Sequence, residues 1–195
     1  MQRLLRHFSK YLPLKQIYHQ QDTDQCKTLI LERYNIFSIE NGPGLVLHRF
    51  VHSDPDRGYH DHPWQFGISL ILSGSYREIK VKHQTREIQE RIYRAGSVNY
   101  FNGKDYHRVL LYPVVKFNVE LNSQNRENNE RTHNSNEEEE EVWTLFFHWK
   151  RVKHWGFLKQ LDPMKEKECH EEGQWEYHQY SQSIKDADGA WWERT

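Results

Sequence analysis

The stretch that decides the fold is Gly58-Tyr59-His60-Asp61-His62-Pro63-Trp64, followed by the apolar run Phe66-Gly67-Ile68-Ser69-Leu70-Ile71-Leu72 and by Gly74-Ser75. Residues two apart on a strand point to the same face, so His60 and His62 aim both imidazoles at one point. Two ligands from one rigid strand cost little to organise, and a third must come from elsewhere. His107 is the natural candidate, because Val109 and Leu111 lie on its own face of Asp105-Tyr106-His107-Arg108-Val109-Leu110-Leu111 and mark that face as inward. In a chain with thirteen histidines a His-x-His spacing also arises by chance. The apolar strand, the Gly turn and the third His on another strand are what raise it above chance. Imidazole binds metal as the neutral ligand, and three protein ligands leave positions open for water or substrate.

Working outward, the pattern is that of a β protein. Residues 3–12 form a short helix with Leu4, Leu5, Phe8 and Leu12 on one side, and residues 13–27 read as a polar connection. From Thr28 the texture is that of strands: residues 28–40, a turn at Asn41-Gly42-Pro43-Gly44, then residues 45–52. In the latter, Leu45, Leu47, Arg49 and Val51 share one face, read as inward, and Val46, His48, Phe50 and His52 the other. Residues 66–72 and 76–81 flank Gly74-Ser75 as a hairpin, and short strands continue through 87–93, 96–101, 106–112 and 115–121. Many short strands at regular spacing predict a sandwich or a barrel. Residues 122–141, rich in Asn and Glu, read as a disordered polar insertion, because they cannot bury enough surface to offset their ordering entropy. Residues 142–149 resume as a strand, with one helix expected around 163–172. The organisation is thus residues 1–27 as helix and connection, 28–158 as barrel and 159–195 as an irregular tail.

Composition excludes several classes. Twenty-seven cationic residues against twenty-eight anionic ones give a net charge of −1, so no global attraction to nucleic acid or an anionic membrane is expected. The segment Lys150-Arg151-Val152-Lys153-His154-Trp155 mixes cations and an aromatic as single-strand binders do, but six residues are too few to carry that function. No stretch is apolar enough to span a bilayer. The acid-free N-terminus has the texture of a weak presequence, but a docking helix ending before Pro13 is the simpler reading. Cys26 and Cys169 lie far apart and outside any CxxC pattern, which fits a reducing, cytoplasmic compartment. Aromatics make up 14% of the chain with seven Trp, so the core should lean on rings.

The runs His60–Tyr76 and Arg94–Val109 together resemble the two motifs of the cupin superfamily, including the Gly at position 74 and a Gly at 96 in the turn before the completing His. The Pro of that second turn is replaced: the turn reads Arg94-Ala95-Gly96. More narrowly, residues 34–158 look like a little-characterised group of bacterial and phage cupin-like proteins with a His-x-His-Pro-Trp core and a closing Trp-Gly-Phe, here Trp155-Gly156-Phe157. The resemblance implies a cupin-type double-stranded β-helix, or jelly-roll, barrel and one divalent metal on His60, His62 and His107. Fe(II) is favoured, with Zn, Mn or Ni as alternatives. Many cupins carry a Glu ligand three or four residues after the His-x-His; Phe66 and Gly67 stand there, leaving three His unless Glu78 reaches in. A three-His set resembles the thiol dioxygenases among cupins.

Glu78 and Tyr100 are the catalytic candidates beside the metal, and Arg49 and Gln65 the substrate-binding ones. A buried Arg49 needs a partner, which either a substrate anion or a structural carboxylate supplies. The function expected is that of a metal-dependent oxidoreductase, of dioxygenase type, acting on a small polar molecule. A cupin-type isomerase or epimerase and a non-catalytic ligand- or partner-binding cupin are the alternatives, with a homodimer as the prior for assembly. A competing metal pattern, His52-Ser53-Asp54 with His107, would mimic a two-His-one-carboxylate triad.

Overall fold

A computed structural model describes residues 1–20, 27–56, 58–114, 138–160 and 175–179. Helix α1 (Gln2–Ser9) precedes β1 (Leu14–Gln20), β2 (Lys27–Ser38), β3 (Gly44–Phe50), β4 (Tyr59–His60), β5 (Phe66–Ser73) and β6 (Ser75–Val81). Then follow β7 (Ile88–Arg94), β8 (Val98–Asn102), β9 (Tyr106–Leu111), β10 (Val142–His148), β11 (Gly156–Gln160) and β12 (Trp175–Gln179). They form two antiparallel six-stranded sheets, β1-β2-β3-β10-β5-β8 and β12-β11-β4-β9-β6-β7. The middle eight strands pair in a nested order: β3 with β10, β4 with β9, β5 with β8 and β6 with β7. Folding one long hairpin over on itself produces that nesting, and it is the strand order of a jelly roll. The β1–β2 hairpin widens the first sheet, and β11–β12 widens the second.

Two local expectations change. The polar connection at 13–27 contains a seven-residue strand, β1, which shares a ladder with β2 and buries Ile17 against Ile30 and Leu31. Residues 66–72 and 76–81 are not a hairpin. β5 bonds to β10 and β8, whereas β6 bonds to β7 and β9, so the chain crosses from one sheet to the other at Gly74. Gly74 has φ +80°, and a methyl group on it would lie 2.5 Å from the carbonyl oxygen of Glu141. A Gly-Ser pair signals a reversal, but not whether the returning strand pairs with its neighbour or turns a corner.

The register of β3 is the consequential correction. Leu47 and Arg49 face outward, because α1 lies over that side of the first sheet and its flank, Leu5 and Leu12, packs with Tyr34, Leu47 and Trp143. Strand β3 is therefore covered on both faces, and alternation alone cannot say which face is the interior. Arg49 pairs with Glu32 at 2.8 Å and with Glu141, which also holds Arg6 of α1 at 2.6 Å. Glu141 and Glu139 belong to the stretch read as a disordered insertion. Glu139 forms a bridge with Pro113 and accepts hydrogen bonds from Ser53. Residues 115–121, 122–137 and the helix expected around 163–172 lie outside the described residues.

The ion pairs of this layer make stability depend on pH. Burial works to raise the Glu32 and Glu141 carboxyls, but Arg49 acting together with Tyr34 and Gln16 at Glu32, and with Arg6 at Glu141, outweighs it, and both sit below the ordinary value of 4.5. A lowered folded-state pKa means stability present above the unfolded value and lost as pH falls through the folded one. Urea unfolding of wild type should therefore weaken below about pH 4.5 more steeply than that of a Glu32→Gln/Glu141→Gln double variant. The two turn glycines differ in their surroundings. Gly96 has φ +89° and open space where a methyl group would stand, while Gly74 meets backbone. Gly96→Ala should cost about 1–2 kcal/mol of backbone strain, and Gly74→Ala clearly more, by the same titration.

Candidate metal centre

His60 on β4 stands directly opposite His107 on β9. Opposed residues of an antiparallel pair share a face, so the two rings meet with centroids 4.5 Å apart. His62, just beyond the end of β4, turns to the same side, its ring 4.7 Å from that of His107 and 5.4 Å from that of His60. One nitrogen from each of the three rings lies within 4.8 Å of the others, and all three residues are buried. The Nε2 atoms of His62 and His107 are 2.7 Å apart.

Asp61, between the two histidines, points the other way and is fully buried. Its carboxylate accepts hydrogen bonds from the backbone N–H of Gly156 (2.8 Å), from Lys153 Nζ (2.5 Å) and from the Tyr177 hydroxyl (3.1 Å). Its own N–H donates to the Gly156 carbonyl at 3.0 Å. The closing Trp-Gly-Phe segment is thereby bolted to the His-x-His turn, and Trp155 is brought to 5.1 Å from the His62 ring. Burial raises the Asp61 carboxyl, and these donors pull the other way.

Behind His107 stands Glu78, on β6 and 1% exposed. Its Oε1 lies 2.6 Å from His107 Nδ1 and accepts from Asn99 Nδ2 at 2.9 Å, while Lys80 Nζ stands 3.3 Å from Oε2. Burial opposes ionisation, but His107, Lys80 and Asn99 overcome it and hold the carboxyl at about 2. An ionised Glu78 fixes the proton on Nδ1 and turns the lone pair of His107 Nε2 into the cavity. Asp54 stands 3.7 Å from His60 Nδ1, and its carboxylate also accepts the Val109 N–H at 2.8 Å. His62 is gripped by rings: Phe101 at 4.4 Å and Trp64 at 5.5 Å, both nearly parallel to it. Burial first, then the charges of His107, His60, His48 and Arg33, push its pKa well below the usual value, so it is a neutral donor. Three imidazoles, with one tautomer pinned and one ring held neutral, form a donor set suited to a divalent transition metal.

The three rings open onto a cavity of about 70 Å³ between the sheets, walled mainly by Leu31, Phe50, Phe101, Val109, Phe146 and Trp155. Its other polar linings are Arg33, His48, Asp54, Ser69 and Asn99. Of the sequence candidates, His60, His62 and His107 are brought together, and Glu78 stands immediately behind them. Tyr100 is not at the cavity: it is 59% exposed on the outer face of β8, and its neighbour Asn99 is the residue that faces in. Gln65 is exposed beside Trp64, and Arg49 is held by Glu32 and Glu141 on the outer face of the first sheet. The alternative triad is not assembled, because His52 is exposed with its ring against the Leu29 carbonyl at 2.7 Å. Sequence reasoning missed Arg33 and His48. His48 carries no spacing signal that separates it from the other histidines, and Arg33 lies in a strand whose facing the sequence leaves unassigned.

No protein-family model and no curated protein matches this chain. Among solved structures, Fe(II)-HppE with the alternative substrate (S)-1-HPP aligns with 72% of this chain and 57% of its own, at 7% identity and a TM-score of 0.43. An oxalate oxidase aligns with 56% of this chain and 42% of its own, at 13% identity and a TM-score of 0.37. A conserved protein of unknown function from Streptococcus pyogenes covers 63% of this chain and 75% of its own, at 11% identity and a TM-score of 0.38. The chain spans about half the length of the HppE and oxalate oxidase structures that it matches. What the chain itself displays is a jelly roll, in its nested strand pairing, with a histidine cluster between its two sheets.

Proposed function

We propose that this protein is a metal-dependent enzyme in which His60, His62 and His107 hold one divalent cation, Fe(II) in the first instance, and that it oxidises a small polar molecule as a dioxygenase does. The observation that carries the reading is the buried convergence of three imidazoles with a carboxylate fixing one of them from behind. A divalent metal on three neutral ligands keeps its full charge for polarising what binds beside it, and as iron it also supplies redox chemistry with oxygen.

The chain's own groups have separable roles. Glu78 is a positioning residue: it is ionised, enclosed and occupied by His107, Asn99 and Lys80, so it orients His107 and does not itself exchange protons with a substrate. Phe101, Trp64 and Trp155 hold the His62 ring in place and exclude water from the cavity. An isomerase or epimerase needs a Tyr or His positioned as acid or base. The Tyr76 hydroxyl accepts a hydrogen bond from Asn99 at 3.2 Å and its pKa is pushed up by burial, so the tyrosine of the Tyr–His pair that such enzymes use is a poor proton donor here.

Elemental analysis of tag-free protein tests the reading. Wild type should carry close to one metal per chain, and His60→Ala, His62→Ala and His107→Ala, each folded by circular dichroism, should lose it. Iron, with oxygen consumed in the presence of candidate thiols or other small polar molecules, supports the dioxygenase. Absence of metal after incubation with Fe(II), Zn and Mn would overturn the enzyme reading in favour of a metal-free ligand-binding barrel. Glu78→Gln should fold and still bind metal, with affinity lower by about 10–100-fold, because the outer hydrogen bond weakens while every ligand stays.

A further inference from the structure

We propose that Arg33, with His48 beside it, is the substrate-recognition end of the cavity, and that the molecule it takes is a small monocarboxylate. The proposal deepens the metal-enzyme reading and rests on it for the meaning of the bound molecule as substrate.

Arg33 on β2 is paired in register with His48 on β3, and both line the cavity from the first sheet, while the three histidines line it from the second. Arg33 also borders an outer cleft with Pro13, Lys15, Asn35 and His148, so it stands between that cleft and the cavity. Among the described residues its guanidinium has no carboxylate partner; its neighbour is the Trp64 ring, with Cζ 5.7 Å from the centroid. The contrast with Arg49 is local. Glu32, next to Arg33 in sequence, points to the opposite face and is taken by Arg49 at 2.8 Å. The alternation that satisfies Arg49 therefore leaves Arg33 facing a mainly apolar cavity, without a carboxylate partner among the described residues.

Arg33 is half-buried, and a cation partly withdrawn from water against an apolar wall is stabilised when an anion joins it. Burial lowers the Arg33 pKa to about 10, with no neighbouring carboxylate opposing it, so the group is still a cation at neutral pH. Its charge is felt by His48, where after burial it is the next cause that lowers the ring's pKa. Geometry sets the guanidinium near the histidine cluster: the Trp64 ring that it lies over stands 5.5 Å from the His62 ring. His48 is 8% exposed, stacked on Phe146 at 5.0 Å, and its Nε2 is buried without a partner. A neutral imidazole N–H and a guanidinium side by side offer what one carboxylate accepts. A phosphate dianion would need a second cation, and Arg33 is the only Lys or Arg among the described residues that line the cavity. Among the described residues the one acidic lining group, Asp54, is already engaged by the Val109 N–H and stands beside His60. With about 70 Å³ of space, the bound molecule is only a few heavy atoms long, so a carboxylate at Arg33 brings its other end towards the histidines.

The test uses the full chain stripped of metal with a chelator, so that it is independent of the metal reading. Sodium acetate and propanoate are titrated at fixed ionic strength by calorimetry and by Trp fluorescence, with acetamide as the neutral control. Wild type should bind the carboxylates saturably and ignore acetamide. Arg33→Gln should weaken binding by about tenfold or more, as expected on losing a charge-assisted pair, and Arg33→Lys by less. His48→Leu should weaken it several-fold, and Arg94→Gln on the exposed face of β7 should leave it unchanged. Without ligand, Arg33→Gln should keep the wild-type melting temperature within about 3 °C, since no structural ion pair is lost. If it does not fold, Arg33→Lys carries the comparison. No saturable binding in wild type, or binding indifferent to Arg33, overturns the proposal, and tighter binding of inorganic phosphate overturns the carboxylate assignment. Arg33-dependent acetate binding in a protein that never takes up metal would sink the enzyme reading alone.

Discussion

A single buried carboxylate, Asp61, sets the geometry of the centre. Strand β4 is only two residues long, so hydrogen bonds to neighbouring strands cannot by themselves fix where His62 points. Asp61 supplies the missing constraint from outside: three donors on its side chain and a reciprocal backbone bond to Gly156 hold the turn against β11 and β12. With the middle residue fixed outward, the histidines on either side face inward. The cost of burying Asp61 is offset by donors drawn from Lys153, Gly156 and Tyr177, all far along the chain. The C-terminal strands are therefore part of the site, although none of their residues belongs to the histidine cluster.

Two other buried carboxylates also act from outside the ring of ligands. Glu78 and Asp54 stand behind His107 and His60 respectively, and neither is among the clustered donor groups. The result is a site whose negative charge lies beyond its imidazoles. That arrangement strengthens the imidazoles as donors and leaves Asp54, held by the Val109 N–H beside His60, as the one carboxylate among the described residues that line the cavity. Glu32 and Glu141 serve the opposite face, where they neutralise Arg49 and hold α1 to the first sheet through Arg6.

The legible parts of the sequence are those in which chemistry and spacing coincide. His-x-His, the apolar strand, the glycines at 74 and 96 and the third histidine fall in the expected order, and the short strands give the β class. The facing of β3 is not legible, because Leu45 and Leu47 are as apolar as Val46 and Phe50. Only the docking of α1 tells which set lies under the helix and which lies in the barrel. Tyr100 misleads for a related reason: β8 alternates Asn99 and Phe101 inward, and a polar residue facing in beside an aromatic facing out reverses the usual cue. The polar residues 13–27 hide β1 because a strand at a sheet edge has little to bury, and only Ile17 marks it.

Those errors of facing bear directly on function. A one-residue change of parity on β2 and β3 exchanges a structural arginine for a recognition arginine without altering composition or spacing. Arg49 has the sequence argument, since it sits among apolar neighbours and must be compensated if buried. It is compensated, by Glu32 and Glu141, and so has no charge left to offer a ligand. Arg33 has no such argument, sitting between Glu32 and Tyr34 in what reads as an ordinary polar pair. Its significance comes only from the pleat, which sends Glu32 to one side of the sheet and Arg33 to the other. A charge is free for binding when the fold separates it from the nearest opposite charge in the chain, and the pleat of a strand does this at every step. For a barrel with one face under a helix, tracing the ion pairs on the covered face is therefore the surest way to find the functional cation on the other.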